Sequence, residues 1–333
     1  RIHLCVYHSQ FPLLMRSAIE YRLDTALDRR KEFAVFDLPD IRQRLDAHGE
    51  QDQLFIVLAS PVSEVGRDHC YDWAVVEPSS MRSLIQLAGR IRRHRPAPVE
   101  KPNLLIFNHN LRHFDHPGQA AFCKPGFEND HDFRLMHHDL QRLLAPEEQD
   151  VIDARPCILP RTDVPLAPRE RLVDLEHARL AARMLPQAIT PSAPAAPLSA
   201  ATSWLSPDAH LSGVLVQQQP FRYDPLLRLD LVLLPKEDEK DYELHRVVKG
   251  DRRGEPDYVQ VDGSQNHRVP PTAVQGERIA PWGEVDFMAA LREHAEALDL
   301  SLYECARRFA VVSLPNATQG WRFHPLLGFS KER

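Results

Sequence analysis

The chain has no long apolar run, no paired cysteine spacing and no surplus of positive charge, and each lack closes a class of function. No uninterrupted hydrophobic stretch approaches the ~20 residues that span a bilayer, and no secretory leader opens the chain. No membrane is expected as a partner, and a cytoplasmic location is expected. The five cysteines, Cys5, Cys70, Cys123, Cys157 and Cys305, lie far apart without a Cys-x-x-Cys pair, which argues against a zinc knuckle or a disulfide scaffold. With a formal net charge of -6, nucleic acid can be bound only through a local basic surface. A Gly-x-x-x-x-Gly-Lys-[Ser/Thr] loop and an acidic magnesium-binding box are also missing, so by itself the chain is expected to be a poor ATPase or none.

What is present suits a globular chain of two or three domains: 333 residues, 43% of them apolar, with aromatic residues spread throughout. The first residue is Arg1, and Ile2 to Tyr7 already reads as a buried strand, so a domain or more is expected upstream. A helix is predicted over Phe11 to Arg30, a short strand over Phe33 to Phe36, and a brief polar helix around Ile41, Leu45 and Ala47. Leu54 to Ala59 is continuously apolar, as a strand covered on both faces would be. Trp73 to Val76 repeats that signature with Trp73 buried, Ser80 to Arg93 reads as a helix, and Leu104 to Phe107 as another strand. This alternation predicts an α/β fold with a mainly parallel sheet over residues 1–110.

Residues 111–203 change texture. Prolines recur, Thr190 to Ala201 is nearly all Pro, Ala and Ser and reads as a linker, and Arg169 to Leu185 places Leu172, Leu175, Ala178, Ala182 and Leu185 at helical spacing. Residues 204–333 form a third region of α+β character. Leu227 to Leu233 reads as a strand entering a core, with Tyr242 to Val248 and Tyr258 to Val261 as its pairing partners. Phe287 to Phe309 reads as two helices broken near Asp299, with Ser301 as the second cap. The apolar end from Trp321 to Phe329 reads as docked.

The chemistry is concentrated in two places. Gln86-Leu87-Ala88-Gly89-Arg90-Ile91-Arg92-Arg93 fits Gln-x-x-Gly-Arg-x-x-Arg. If Leu84 to Arg93 is helical, Gln86, Arg90 and Arg93 share one face, and Gly89 leaves room there. A guanidinium fork stays charged and matches phosphate oxygens, so it suits the charge that develops as a terminal phosphoryl leaves. The second place is Ser60 to Asp68, which follows a strand where ligand sites form in open α/β sheets. Glu64 and Asp68 there can orient arginines or hold a ribose, and Gly66 permits close approach. The basic residues Arg82, Arg90, Arg92, Arg93 and Arg95 stand between 82 and 95 with no acid among them. Arg67, Arg92 and Arg95 are the candidates for nucleic-acid phosphates.

The segments CVYHS at 5–9, SPVSEVGRD at 60–68 and QLAGRIRR at 86–93 resemble motifs IV, V and VI of superfamily 2 helicases, in order. The resemblance implies a RecA-like second helicase lobe. Arg90 and Arg93 match the arginines that reach across the interlobe cleft to ATP, and Gln86 matches a nucleotide-contacting position. Glu64, Gly66 and Asp68 match positions that couple the ATP site to the nucleic-acid track, on which His8 and Ser9 also fall. More narrowly, residues 66–96 resemble the CRISPR-associated interference helicase-nuclease in its type I-F form. That resemblance implies 3'-5' DNA unwinding driven by ATP and Mg2+, and degradation of the displaced strand at an upstream His-Asp centre. It also implies single-stranded DNA, a guide-RNA surveillance complex, the spacer-acquisition integrase and phage-encoded inhibitor proteins as partners, with an accessory C-terminal domain after about residue 200.

His137-His138-Asp139, with His113, Asp115, His116, His131 and Asp132 nearby in sequence, reads as a surface histidine cluster and not as a metal site. A non-catalytic docking module and an RNA helicase lobe are the alternative readings, because contacts to phosphates do not distinguish DNA from RNA.

Overall fold

The computed structural model describes residues 1–64, 68–123, 127–159, 161–184, 227–250, 255–261, 266–268, 276–317 and 320–331. The expected linker at 190–201, and Gly66 and Arg67, lie outside the described residues. Packing divides the chain into two units, of which the first joins residues 1–70 with 225–333 and the second is 71–224.

In the first unit β1 (Ile2–Tyr7) is central, paired in parallel with β2 (Leu54–Ala59) in the register Ile2↔Leu54 to Tyr7↔Ala59. On its other side β1 pairs, again in parallel, with β9 (Ile279–Pro281). Helix α1 (Leu13–Ala26) follows β1. Pro12 precedes it with φ -53°, a value its ring fixes, and the helix buries Leu14, Met15, Ile19, Leu23 and Ala26 at helical spacing. The segment Phe33 to Phe36, expected as a strand, instead leads into a 3-10 turn over Ala34–Asp37, with Phe33 and Phe36 exposed. Aromatic residues favour strands only where a neighbouring strand accepts them. Helix α2 (Pro39–Asp46) then buries Ile41. Strand β2 is less covered than its composition predicts, with Leu54 45% and Leu58 55% exposed, because β1 is its only strand partner among the described residues.

The same unit contains the antiparallel sheet β10-β5-β6-β7, built from β5 (Arg228–Pro235), β6 (Tyr242–Lys249), β7 (Pro256–Gln260) and β10 (Val311–Pro315). Of the two partners expected for β5, β6 pairs with it, whereas β7 pairs with β6 instead and β10 takes the other edge of β5; Leu231 to Leu234 are all buried. A third sheet, β12-β11-β8, comprises β8 (Asn266–Arg268), β11 (Trp321–His324) and β12 (Gly328–Lys331). The helices Phe287–Leu298 and Leu302–Phe309 are separated by Asp299 at φ 53°. Ser301 caps the second, as the sequence predicts, and the structure adds a reciprocal capping box with Glu304. One core runs from Cys5, Tyr7, Met15 and Ile19 to Val232, Leu291, Leu314, Trp321 and Phe329. The chain's end is therefore docked into the core that covers β1. Burial of each such side chain contributes roughly 1.5–3 kcal/mol.

In the second unit β3 (Ala74–Val76) and β4 (Leu104–Ile106) pair in parallel around α3 (Met81–Ala88). Single-turn helices follow: α4 (Arg112–Asp115), α5 (Leu140–Leu143), α6 (Pro146–Asp150) and α7 (Arg155–Ile158), before the longer α8 (Leu172–Met184). Their core gathers Val76, Met81, Leu84, Phe122, Leu135, Leu140, Leu143, Leu172 and Leu175. Trp73, expected inside, is 49% exposed, because β3 begins only at Ala74 and Trp73 precedes it.

Candidate functional site

The parallel register of β1 and β2 brings the segments after both strands to one carboxyl edge: Ser60 N–H donates to Tyr7 O at 3.1 Å. His8 and Ser9 leave the sheet there. Gln10 N–H donates to His8 Nδ1 at 3.1 Å, so the proton sits on Nε2 and is donated to Leu327 O at 2.8 Å. The ring also lies 4.9 Å from Phe11, and its desolvation holds its pKa below the ordinary histidine value. Both His8 nitrogens are thus engaged inside the unit, while Ser9 is exposed.

Ser60 begins a 3-10 turn over Pro61–Ser63, pinned by Ser63 Oγ donating to Ser60 O at 3.2 Å, and Glu64 is buried behind it. Asp68 forms an ion pair with Arg30, which also meets Asp28 at 3.0 Å. Next to it His69, fully buried, contacts Asp24 through Nε2 at 2.8 Å. No local pattern signals this pair, since its partners are 45 positions apart.

In the second unit the segment expected to be one helix from Ser80 to Arg93 is helical only from Met81 to Ala88. Ser80 Oγ accepts from Ser83 N–H at 3.0 Å, a cap that supports the start. The end comes at Gly89, after which Ile91 forms a parallel bridge with Tyr71: Tyr71 N–H donates to Arg90 O at 2.9 Å and Arg92 N–H to Tyr71 O at 2.8 Å. Backbone groups that would have continued the helix are taken by Tyr71, and Arg92 turns to φ 51°. Gln86, Arg90 and Arg93 therefore do not share a helical face. Gln86 stands on the last turn, Arg90 in the bridge segment, and Arg93 is exposed beyond it with Nη1 3.3 Å from Gly89 O. A Cβ on Gly89 would meet Ile85 O at 3.4 Å, ordinary contact, so the fold itself has room for a side chain there.

Arg95 is drawn inward, its side chain 7% exposed, with Nη1 on Asp72 at 2.5 Å and Nη2 on Tyr71 O at 3.0 Å. Arg82 lies exposed, its guanidinium 5.1 Å from the Phe127 ring centre. The helix start is also held from afar: Glu176 of α8 accepts from Met81 N–H at 2.5 Å and from Arg82 N–H at 3.3 Å.

The histidines expected at the surface are partly internal. His138 is buried and donates from Nε2 to Glu128 at 2.9 Å, while its Nδ1 lies 3.0 Å from His113 Nδ1. Glu128 also accepts from the N–H groups of Ala121, Phe122 and Leu135. Burial opposes its charge, but His138 and these amides outweigh burial and hold its pKa below the ordinary value. Asp139 caps α5 by accepting from Gln141 N–H. Among the described residues no group of three or more His, Cys, Asp or Glu side chains is arranged to hold a metal ion, and no helix is long and apolar enough to cross a membrane.

Comparison with known proteins gives matches along the whole chain. Residues 1–96 match the family described as CRISPR-associated nuclease/helicase Cas3, C-terminal, and residues 233–331 match CRISPR-associated Cas3 subtype I-F/YPEST-like, C-terminal domain. A CRISPR-associated nuclease/helicase Cas3 subtype I-F/YPEST of Pseudomonas aeruginosa is 45% identical over 99% of this chain and 29% of that protein. Its counterpart in Pectobacterium atrosepticum is 37% identical over 98% of this chain and 29% of that protein. The chain thus spans less than a third of the length of these relatives. A crystal structure of T. fusca Cas3-AMPPNP aligns with 99% of this chain and 36% of that one, at 16% identity and a TM-score of 0.35, too low to bear on the fold. The chain belongs to the Cas3 family and corresponds to its C-terminal portion, in the subtype I-F/YPEST form.

Proposed function

We propose that the chain is part of an ATP-dependent 3'-5' DNA helicase-nuclease of CRISPR interference, supplying the second RecA-like lobe and an accessory domain. The observation that carries this reading is the end-to-end similarity to proteins described as nuclease/helicase. The division by function follows motif order: residues 1–110 as the lobe, 111–203 as a proline-rich region with an amphipathic helix, and 204–333 as the accessory domain.

In this reading Arg90 and Arg93 neutralise the charge that spreads over the transferring phosphoryl group, and Gln86 and Gly89 lie beside the nucleotide. Glu64, Gly66 and Asp68 couple that event to the DNA track. His8, Ser9, Arg67 and Arg92 follow the phosphates of single-stranded DNA, an attraction that weakens with salt. Arg95, tied to Asp72, is the weakest of these candidates, and His8 has only its ring face to offer. The magnesium that accompanies ATP and the metal of the nuclease are assigned to the remainder of the protein. The surveillance complex, the integrase and phage inhibitor proteins are the partners proposed for the whole assembly.

The test is Arg90→Ala in the full-length protein. DNA-stimulated ATP hydrolysis is expected to fall by about 10³-fold or more, the scale at which such arginines act, with the circular dichroism spectrum unchanged. Full retained activity refutes the assignment. Strand displacement on DNA and RNA duplexes in the same preparation separates the DNA reading from an RNA helicase.

A further inference from the structure

Helix α3 is two turns long, and its start is held by a residue 95 positions away. The first amides of a helix have no acceptor within it. Ser80 satisfies that of Ser83, and Glu176 satisfies those of Met81 and Arg82, both its oxygens lying 3.3 Å from Arg82 N. A serine or asparagine would cap the same amides without burying a charge, yet Glu176 is only 4% exposed. The charged and titratable groups facing it are Arg82 on α3 and Cys157 on α7; Cys157 in turn feels Glu148 on α6, which faces Arg171 at 3.5 Å. The buried carboxylate thus couples α8 to the two-turn helix that ends at Gly89, directly before Arg90.

We propose that Glu176 is a positioning residue for the motor: by clamping the start of α3 it sets where Gln86, Arg90 and Arg93 stand, and so how well the arginines meet the transferring phosphoryl group. This rests on the reading in which Arg90 and Arg93 serve ATP. The clamp acts on the transition state, where misplacement by a fraction of an ångström matters most. Burial pushes the Glu176 carboxyl up to about 7, against the opposing pull of the two amides and of Arg82. The clamp therefore changes its charge near neutral pH.

The experiment measures DNA-stimulated ATP turnover of the full-length protein from pH 6 to 8.5, for wild type, Glu176→Gln, Glu176→Ala and Arg90→Ala. Glutamine keeps one acceptor but turns the other oxygen into a donor facing Arg82 N–H. The expected result is a kcat about 10-fold lower at pH 8 for Glu176→Gln, with KM for ATP within about twofold. The wild-type acid limb near pH 7 should be missing from the variant. If Glu176→Ala does not fold, the near-isosteric glutamine variant decides. A Glu176→Gln protein with wild-type kcat and an intact acid limb, beside an inactive Arg90→Ala, overturns the clamp and leaves the motor reading standing. Full activity of Arg90→Ala overturns both.

Discussion

Glu128 offers the sharpest test of how the second unit is held together. Its carboxylate, 4% exposed, accepts from Ala121 N–H at 2.8 Å, Phe122 N–H at 2.9 Å, Leu135 N–H at 3.1 Å and His138 Nε2 at 2.9 Å. Glu128→Ala strands three amides and an imidazole. At about 1–3 kcal/mol for each buried group left unpaired, and with some relief from water entry, the loss is about 4 kcal/mol or more. That approaches the whole stability of an ordinary domain, roughly 5–15 kcal/mol. Glu128→Gln keeps one acceptor and loses the charge, and should cost about 2 kcal/mol, the value of a hydrogen bond to a charged group. Because the folded carboxyl has a depressed pKa, its contribution is fully present above the unfolded value of 4.5 and is lost as pH falls through the folded one. Wild type should therefore lose stability on acidification below about pH 4.5 more steeply than Glu128→Gln. Urea denaturation across pH, with hydrogen exchange at Ala121, Phe122 and Leu135, reads both effects. Midpoints and exchange rates equal to wild type in Glu128→Ala would refute the reasoning.

Three further outcomes follow from local geometry. Gly328 has φ 67°, and a Cβ there would lie 2.9 Å from His8 Cε1 and 3.1 Å from Gln10 O, so Gly328→Ala should lower stability. The expected loss is about 2–3 kcal/mol, from left-handed backbone plus contact strain, and a lowered Tm measures it. Gly283→Ala would bring a methyl within 2.5 Å of Cys5 Sγ and 3.1 Å of its Cα, displacing β1. About 1–3 kcal/mol is expected from such overpacking, read by urea titration. Glu176 has the opposite linkage to Glu128. Its folded pKa of about 7 exceeds the ordinary value of 4.5, so stability should decline as pH rises between them and level off above. The span corresponds to about 3 kcal/mol at most, and Glu176→Gln should flatten it in midpoint-against-pH measurements.

Much of the first unit was legible because its signals are local. The apolar run of β1, the spacing of Met15, Ile19 and Leu23, the alternation entering β5, and Ser301 with Glu304 three residues on each specify an element from within a few positions. Strand β9 was not legible: it has three residues, one of them proline, and its partner β1 lies at the other end of the sequence. The same limit applies to the proposed arginine site. Spacing alone put Gln86, Arg90 and Arg93 on one helical face, whereas the amide and carbonyl of Tyr71, remote from the motif in sequence, stop the helix and turn the chain. Helical periodicity reports a face only while the hydrogen-bond ladder continues.

Glu128 and Glu176 show why composition could not rank the buried acids. Both are nearly inaccessible carboxylates that accept main-chain amides, and burial is the largest influence on each. Glu128 has three amides and a histidine within hydrogen-bond distance, enough to outweigh burial, so it stays charged and serves as a fixed strut. Glu176 has two amides, one of them at 3.3 Å, and burial wins. The difference is set by which loops fold around each oxygen, and it separates a group that only holds the unit together from one whose charge changes near neutral pH. Because that second group grips the helix leading to Arg90 and Arg93, the protonation of Glu176 and the placement of the arginines are expected to vary together.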